Sequence, residues 1–537
     1  MRVTGAVARD TAVKSSGEGP VSAMFSTPVL SFMLQWNAAK ASCKLLPVLH
    51  ASLHTGTEAN ETCKCGIIGG GLSGTSAAYY LRQLWGDKPL HVDIFEPQRV
   101  GGRLALVNVD GQDYEAGGAI IHPRNWHMAF FADHFGLGRR TINKRTHGLY
   151  NNEKGLYFQT SPWAFLSNSK VKSRYGGDIE RFHNLVADTL LSFDRIYEHL
   201  YKIEAFTTVE NLLRSMDERF LEQIHTTAAV MFKDAGFSDR FINEIVKGSL
   251  ITNYSQTLHA PAFLSSISMA GAEPGSWSIQ GGLRRLPEKF LEVSGATLIP
   301  GEVTHVFQKQ SPNRTVSYEV GYKKAEHETG REKYDIIIIA TPLDPGREKQ
   351  IHFEDFPGGL DLPKIPYHPL QVLFTHGKMN ESFFGKKSVP THIMATETDV
   401  FFNRMAKQSP VNSGGVEEKE GYGVWKLYLN KTPTEEQLHS VFDDRNDLCL
   451  MHWRAFPEYT TTMELPPFVL HDRLYYANAI EVAASAMEMA VVGGRNVANL
   501  AFNQWFGHSD RIDSVNSTSS LGSTDDSINK FNVAFYK

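Results

Sequence analysis

One short stretch near the start of this 537-residue chain constrains its fold more than any other: CGIIGGGLSG, from Cys65 to Gly74. An apolar run enters a glycine turn. LSGTSAAYYLRQL then follows with helical spacing, and LHVDIF alternates like a second strand that ends at Glu96. Together they predict a β-α-β unit. Gly69, Gly71 and Gly74 satisfy G-x-G-x-x-G between the first strand and the helix. The first glycine permits the tight turn, the second lets a pyrophosphate approach the backbone, and the third lets the helix sit close to the strand. The unpaired N–H groups at the helix start then face the phosphates. Glu96 stands 22 residues beyond Gly74, where a carboxylate can accept hydrogen bonds from both ribose hydroxyls. The unit predicts a dinucleotide site.

Composition narrows the function classes. Lys and Arg number 54 against 59 Asp and Glu, a formal charge of −5, so no concentrated basic surface for nucleic acid is expected. Four cysteines, Cys43, Cys63, Cys65 and Cys449, make neither a disulfide framework nor a zinc ribbon, and no metal site is expected. No apolar run reaches the roughly 18 residues of a spanning helix. The apolar stretch Pro28 to Trp36 could serve as a leader core, although it starts late and its basic residues lie far upstream. Six Asn-x-Ser/Thr sites, at Asn60, Asn253, Asn313, Asn380, Asn430 and Asn516, give weak support to a secretory route.

Along the chain the expected organisation alternates. Residues 1–62 read as a leader and disordered extension, and 63–150 as the first part of a dinucleotide-binding domain. Residues 151–270 read as mainly helical; Leu213, Met216, Phe220 and Ile224 mark one apolar helical face. Strands return in 271–345, where IIIIATP after Tyr334-Asp335 is apolar throughout, as for a strand covered on both faces. Residues 346–465 read as a mixed segment with a Gly- and charge-rich loop at 412–423. In 466–512, LHDRLYYAN leads from a strand into the helical pattern AASAMEMAVVGGRNVANLAF. A Ser- and Asp-rich tail at 513–537 should be disordered. The nucleotide-binding pieces thus lie at the start, middle and end, with a second domain inserted twice between them.

Which dinucleotide binds is indicated downstream. Gly101-Gly102-Arg103-Leu104 follows Glu96, and YEAGGAIIHP (Tyr114 to Pro123) brings a second glycine pair, Gly117-Gly118, ahead of Ala119 and Ile120. An acid, then GGR, then an acidic residue with a glycine pair resembles the FAD-binding pattern of the flavin amine oxidase and phytoene desaturase superfamily. That resemblance implies an α/β fold, with a Rossmann-type FAD-binding domain assembled from discontinuous segments and an inserted mixed α+β substrate domain. It also implies that Gly102 and Arg103 lie at the flavin phosphates and that Gly117 to Ile120 border the isoalloxazine ring. IQGGLRRLPEKF and GEVTHV match the superfamily as well, placing the backbone of Val303 at the adenine. Ala486-Met487-Glu488 would open the last helix, its amides facing flavin N1 and O2; Glu481, just before it, is counted with the cofactor-binding residues. No cysteine lies near the Ala486-Met487 turn, where related amine oxidases attach their flavin, so the FAD is expected to be non-covalent.

A narrower likeness rests on IHP-x-N-x-H-M (from Ile121) and HDRLYY-x-N-x-IE (from His471), together with SAAYYLRQ. These segments resemble the prenylcysteine oxidase family over residues 64 to 512. The chain departs from that family's pattern at Gln280 and Ser255, which bears on substrate geometry. The resemblance implies an FAD-dependent thioether oxidase of the lysosome, reached by the secretory pathway. It would use O2 and water to cleave farnesyl- or geranylgeranyl-cysteine into cysteine, an isoprenoid aldehyde and hydrogen peroxide. It implies no transmembrane segment and leaves peripheral membrane or lipoprotein association open. Candidate catalytic side chains are His122, which follows the AGGAI segment, and Tyr254 and Trp277 as walls of an isoprenoid channel; His127 is weighed beside His122, each against a buried structural histidine. His471-Asp472-Arg473 reads as a structural ion pair. No second G-x-G-x-x-G follows a strand, which favours an oxidase over a nicotinamide-linked reductase. No G-x-S-x-G elbow supports hydrolysis. Two alternatives stay open: another flavin oxidase acting on an amine or apolar substrate, and an inactive FAD-containing prenyl-lipid binder.

Overall fold

A computed structural model of the chain describes residues 62–142, 145–161, 164–271, 275–310, 316–324, 328–386, 388–412 and 421–514. Nearly all of the expected leader and tail, most of the 412–423 loop, Cys43 and the sequons at Asn60, Asn313 and Asn516 lie outside the described residues.

The first strand, Cys63–Ile68, is central in a six-stranded sheet. On one side it pairs in parallel with Leu90–Phe95 and through it with Thr297–Ile299; on the other with Ile336–Ile339 and then Leu474–Tyr476. Val469–His471 closes that edge antiparallel. Helices cover both faces of such a sheet, so its strands are apolar on both sides: Ile336 to Ile339 are fully buried. For the same reason Leu90–Phe95 does not alternate between core and solvent; only His91 is exposed in its interior.

The first helix, Leu72–Trp85, packs against the last, Met487–Trp505. The approach is close enough that a Cβ on Gly494 would lie 2.4 Å from Ser76 Oγ and 2.6 Å from Ser73 O. The last helix starts at Met487, in the Ala486-Met487-Glu488 segment expected to open it, and Ala477–Val482 ahead of it winds into a 3-10 turn.

Residues 164–270 are mainly helical, while Gly155–Gln159, before them, is a strand. The apolar stripe Leu213, Met216, Phe220 and Ile224 is buried but divided between two helices, Val209–Met216 and Arg219–His225. Asp217 breaks it: its backbone is extended, and its carboxylate accepts from Arg219 N at 3.0 Å and from Ser192 Oγ at 2.7 Å. Such local side-chain bonds compete with helix continuation.

The remaining large element is a seven-stranded sheet in the order 442–457, 367–379, 422–429, 404–407, 392–395, 147–151, 155–159. Its pairings are antiparallel except for His147–Asn151 with His392–Ala395. One face holds a core that includes Trp425, Leu427, Leu429, Met405 and Phe402; the other faces the cavity described below. A four-stranded sheet, 329–334, 316–323, 302–310 and 352–354, packs against the six-stranded one, with Tyr334 Oη donating to Asp93 at 2.8 Å and the Tyr322 ring 5.1 Å from the Phe95 ring. At the C-terminal side, Asp513 is held by Ala205 and by Thr207, so ordered chain continues past residue 512. His471-Asp472-Arg473 is structural through other bonds than an ion pair. His471 and the Asp472 carbonyl meet the Tyr318 hydroxyl, and Arg473 stacks 4.8 Å from the Trp505 ring. No helix among the described residues is long and apolar enough to cross a membrane.

Candidate active site

Two helix N-termini open on one cavity. Gly71 caps the first helix and Ala486 the last, and neither supplies a side-chain acceptor to the free amides behind it. Unpaired N–H groups with the positive end of the helix dipole attract negative charge. The glycines of the first turn divide their work. Gly69 has φ of +116°, and a Cβ there would sit 2.7 Å from Ala340 O; on Gly74 it would sit 2.1 Å from Gly69 O. These two serve the packing of the protein on itself. A Cβ on Gly71 would meet nothing within 4 Å. It would point into open space.

Glu96 ends the second strand, its carboxylate held by Gly70 N at 3.1 Å and Gln98 N at 3.0 Å. The Gly101-Gly102 turn docks on the same loop through Gly101 N to Gly70 O, 2.9 Å. Arg103 is turned inward, donating to Ala455 O at 2.7 Å, to Ser485 Oγ at 3.3 Å and to Glu481. Burial alone would disfavour its charge, but Glu481 outweighs it and raises the affinity of the guanidinium for its proton. Glu481 also accepts from Tyr367 Oη at 2.8 Å and Asn478 Nδ2 at 3.2 Å. This ion pair joins the start of the chain to its end.

The second glycine pair lies against that joint. A Cβ on Gly117 would fall 1.8 Å from Arg103 O, and one on Gly118 would fall 2.9 Å from Leu104 and 3.3 Å from Met487 Sδ. The fully buried Lys426 reaches across from the seven-stranded sheet and donates to Glu115 O at 3.0 Å and Gly117 O at 3.1 Å. Behind the last helix, Glu488 accepts from His127 N at 2.8 Å, Met128 N at 3.1 Å and Tyr197 Oη at 2.9 Å. His127 is buried with Nδ1 3.0 Å from the same carboxylate, a structural position.

The cavity holds about 800 Å³ and is lined by Gly69, Gly71, Glu96, Gly102, Arg103, Gly117, Gly118, Ala119, Ile120, His122, Tyr254 and Met487 of the expected residues. Gly74, Trp277, Val303 and Glu481 are not in its wall. Trp277 is pinned by backbone bonds to Ile121, with Arg139 4.4 Å from its ring. Val303 is buried in the four-stranded sheet opposite Tyr322. His122 takes a bond from Arg124 N at 3.2 Å on its Nδ1. Tyr254 donates to Ser485 O at 3.1 Å, and burial raises its phenol. Leu190, Phe193, Ile267 and Phe456 add apolar wall, while Arg404 and Tyr428 come from the seven-stranded sheet.

Residues 158–514 match the sequence profile of the prenylcysteine lyase family, and residues 67–134 that of NAD(P)-binding Rossmann-like domains. Among curated relatives, prenylcysteine oxidase 1 of Bos taurus is 36% identical over 462 residues, covering 84% of this chain and 90% of its own. The human protein is also 36% identical, covering 84% and 91%. The bovine prenylcysteine oxidase 1-like protein is 33% identical, covering 88% and 97%. The chain belongs to the prenylcysteine oxidase family.

Solved structures place the fold of this family member with the FAD-dependent amine oxidases. A putative protoporphyrinogen oxidase from Exiguobacterium superposes with a TM-score of 0.53 at 13% identity, covering 82% of this chain and 99% of the other. Cyclohexylamine oxidase from Brevibacterium oxydans gives 0.51 at 13%, covering 83% and 100%.

The residues of this prenylcysteine oxidase relative suit a flavin dinucleotide. The open space at Gly71 and the two uncapped helix starts are what a long anionic cofactor requires. Lys426, Arg404 and Tyr428 were not among the residues expected from sequence. Their signal was a lysine at an alternate position of the strand YGVWKLYL, on the face opposite Trp425 and Leu427.

Proposed function

We propose that the chain is an FAD-dependent oxidase that cleaves the thioether of farnesyl- or geranylgeranyl-cysteine, releasing cysteine, an isoprenoid aldehyde and hydrogen peroxide. The observation that carries this reading is a single cavity that joins two uncapped helix N-termini to an apolar wall, in a chain of this family. Gly71, Glu96 and Gly102 would hold the adenosine and pyrophosphate end of the cofactor, on the turn that Gly69 makes, and Gly117, Gly118, Ala119, Ile120 and Met487 its ring end. No cysteine lines the cavity among the described residues, in keeping with non-covalent binding. Bound FAD would supply the chemistry by accepting hydride from the carbon attached to sulfur and passing the electrons to O2.

The chain's own residues bind and orient the substrate, and the cavity must also admit the one water that adds to the oxidised carbon before aldehyde and thiol separate. Leu190, Phe193, Ile267 and Phe456 would take the prenyl chain. Tyr254, with its hydroxyl fixed on Ser485 O, makes a T-shaped contact with Phe456 of that wall, ring centroids 5.3 Å apart. Arg103 and Glu481 would act as positioning residues, since their bonds fix the segments beside the ring rather than touch substrate. Lysosomal residence through the secretory pathway is part of the same proposal, supported by the six sequons. Three lie in described chain, and each has its Nδ2 hydrogen-bonded, Asn253 to Ser268, Asn380 to Ser440 and Asn430 to Asn403. Glycans are therefore expected first at Asn60, Asn313 or Asn516, which mapping of glycopeptides from native cells would test.

The functional test is aerobic product analysis of the purified holoprotein with S-farnesylcysteine. One aldehyde and one peroxide should form per free cysteine. Binding without any product would leave the inactive prenyl-lipid binder in place of the oxidase.

A further inference from the structure

The cavity wall opposite the glycine loops carries more positive charge than it has acids to match. Arg404 and Tyr428 are directly paired on neighbouring antiparallel strands, with the guanidinium carbon 4.1 Å from the phenol ring centroid. Both line the cavity. Lys426, two residues before Tyr428 on the same strand face, puts its ammonium 4.9 Å from that ring. Arg145 adds a fourth member. Burial, then Arg404 and Arg140, bring its guanidinium down to about 10, with only Tyr428 opposing. Among the described residues no carboxylate forms an ion pair with Arg404, Arg145 or Lys426, and Arg404 Nε is buried without a partner. The acid next to Lys426 is Glu115, which burial pushes up to about 7 against Leu283 N, Lys426 and Arg140.

Buried cations without counterions are costly unless a ligand supplies the missing charge. The cations outweigh burial and bring the Tyr428 phenol down to about 8, a second sign that this corner lacks an anion. Lys426 also fixes its place in the site, because its bonds to Glu115 O and Gly117 O tie the cluster to the second glycine pair.

We propose that Arg404 and Tyr428 bind the α-carboxylate of the prenylcysteine, the guanidinium and the phenol hydroxyl donating to its two oxygens while Lys426 and Arg145 supply positive potential from behind. The inference rests on the functional reading above and deepens it. The same charges repel the substrate's ammonium, so the amino acid head enters in one sense, carboxylate towards the seven-stranded sheet and prenyl chain along the apolar wall. Arg404 and Tyr428 are specificity residues for the free amino acid over its carboxyl-blocked forms.

Two probes of the holoprotein test this. S-dodecylcysteine has no allylic hydrogen to lose, and its binding is read from perturbation of the flavin absorbance. It should bind on the order of 10- to 100-fold more tightly than its methyl ester, the range expected for a hydrogen bond to a charged group. In Arg404→Gln the acid should lose that advantage while the ester is unchanged. Tyr428→Phe should lose about three- to ten-fold, the share of a single neutral donor. With S-farnesylcysteine the limiting anaerobic flavin reduction rate should change little in these variants while the half-saturating concentration rises. Equal binding of acid and ester to the unaltered protein overturns the carboxylate anchor, a result that needs no variant to fold. If farnesylcysteine reduces the flavin in that protein, the oxidase reading survives the loss. If neither farnesylcysteine nor dodecylcysteine binds, the functional reading fails and the anchor with it.

Discussion

The two sides of the cavity attract negative charge by different means. On the glycine-loop side the field comes chiefly from backbone, the free amides behind Gly71 and Ala486; the carboxylate in those first turns, Glu488, is held by His127 N, Met128 N and Tyr197 Oη. On the seven-stranded-sheet side it comes from side chains, chiefly Arg404, Lys426 and Arg145. Backbone dipoles are already oriented and cost little to keep dry. Buried cations pay desolvation and respond to pH and to every neighbouring charge. The first arrangement suits a cofactor that stays, the second a substrate head that must arrive, be recognised and leave.

Backbone substitutions should break the glycine side hardest. Gly117→Ala and Gly74→Ala would each drive a Cβ into a carbonyl oxygen, at 1.8 Å and 2.1 Å, and neither carbonyl can move without its loop. Both variants should lose several kcal/mol of stability and most of their flavin, measured by thermal melting and by absorbance per protein. Gly71→Ala should separate folding from binding: the apoprotein melts as before, since its Cβ meets nothing, while FAD affinity falls.

Removing Glu481 comes next. Glu481→Ala strands the Arg103 guanidinium and should cost roughly 3–5 kcal/mol in chemical denaturation. Glu96→Ala should weaken FAD by about 1.5–3 kcal/mol, with the seven-stranded sheet untouched. Unchanged FAD affinity in that variant contradicts the assignment of Glu96 to the ribose.

The smallest effect belongs to the sheet's own pH response. His392 is buried, with its Nδ1 2.9 Å from His147 Nδ1 and Arg404 and Arg145 nearby. Burial first, then His147 and the two guanidiniums, hold its proton affinity well below the usual histidine value. Because the folded-state pKa is depressed, the unfolded chain takes up this proton first, and stability falls as pH drops below the unfolded value of about 6.5. One such proton contributes a slope of at most about 1.4 kcal/mol per pH unit. His392→Gln should flatten the stability profile below pH 6, and an unaltered profile would show that His392 is not the group responsible.

How far each region was legible from sequence follows from the same contrast. Backbone sites are written locally. Gly69, Gly71 and Gly74 fall within six residues, because a turn, a phosphate and a helix start need them in that order. The cavity accordingly contains twelve of the residues expected there. The side-chain cluster is assembled by strand pairing instead. Arg145 and Arg404 belong to distant segments, and only the register of Arg404 with Tyr428 brings the charge together. No local pattern announces it beyond the lysine in YGVWKLYL. The helical stripe at Leu213 to Ile224 shows the opposite failure, a correct periodicity across a break that the Asp217 side chain creates. Arg103 differs in a third way: its motif is local, but Glu481, which claims its guanidinium, lies 378 residues away.

The central claim is that substrate and flavin meet in this one cavity with the sulfur-bearing carbon against the segment Gly117 to Ile120. Anaerobic rapid mixing of the holoprotein with S-farnesylcysteine, unlabelled and deuterated at that carbon, tests it most directly. The flavin absorbance should bleach in a single saturable phase, and deuterium should slow it, because the C–H bond breaks as the flavin is reduced. A flavin that stays oxidised while the substrate demonstrably binds would contradict the account.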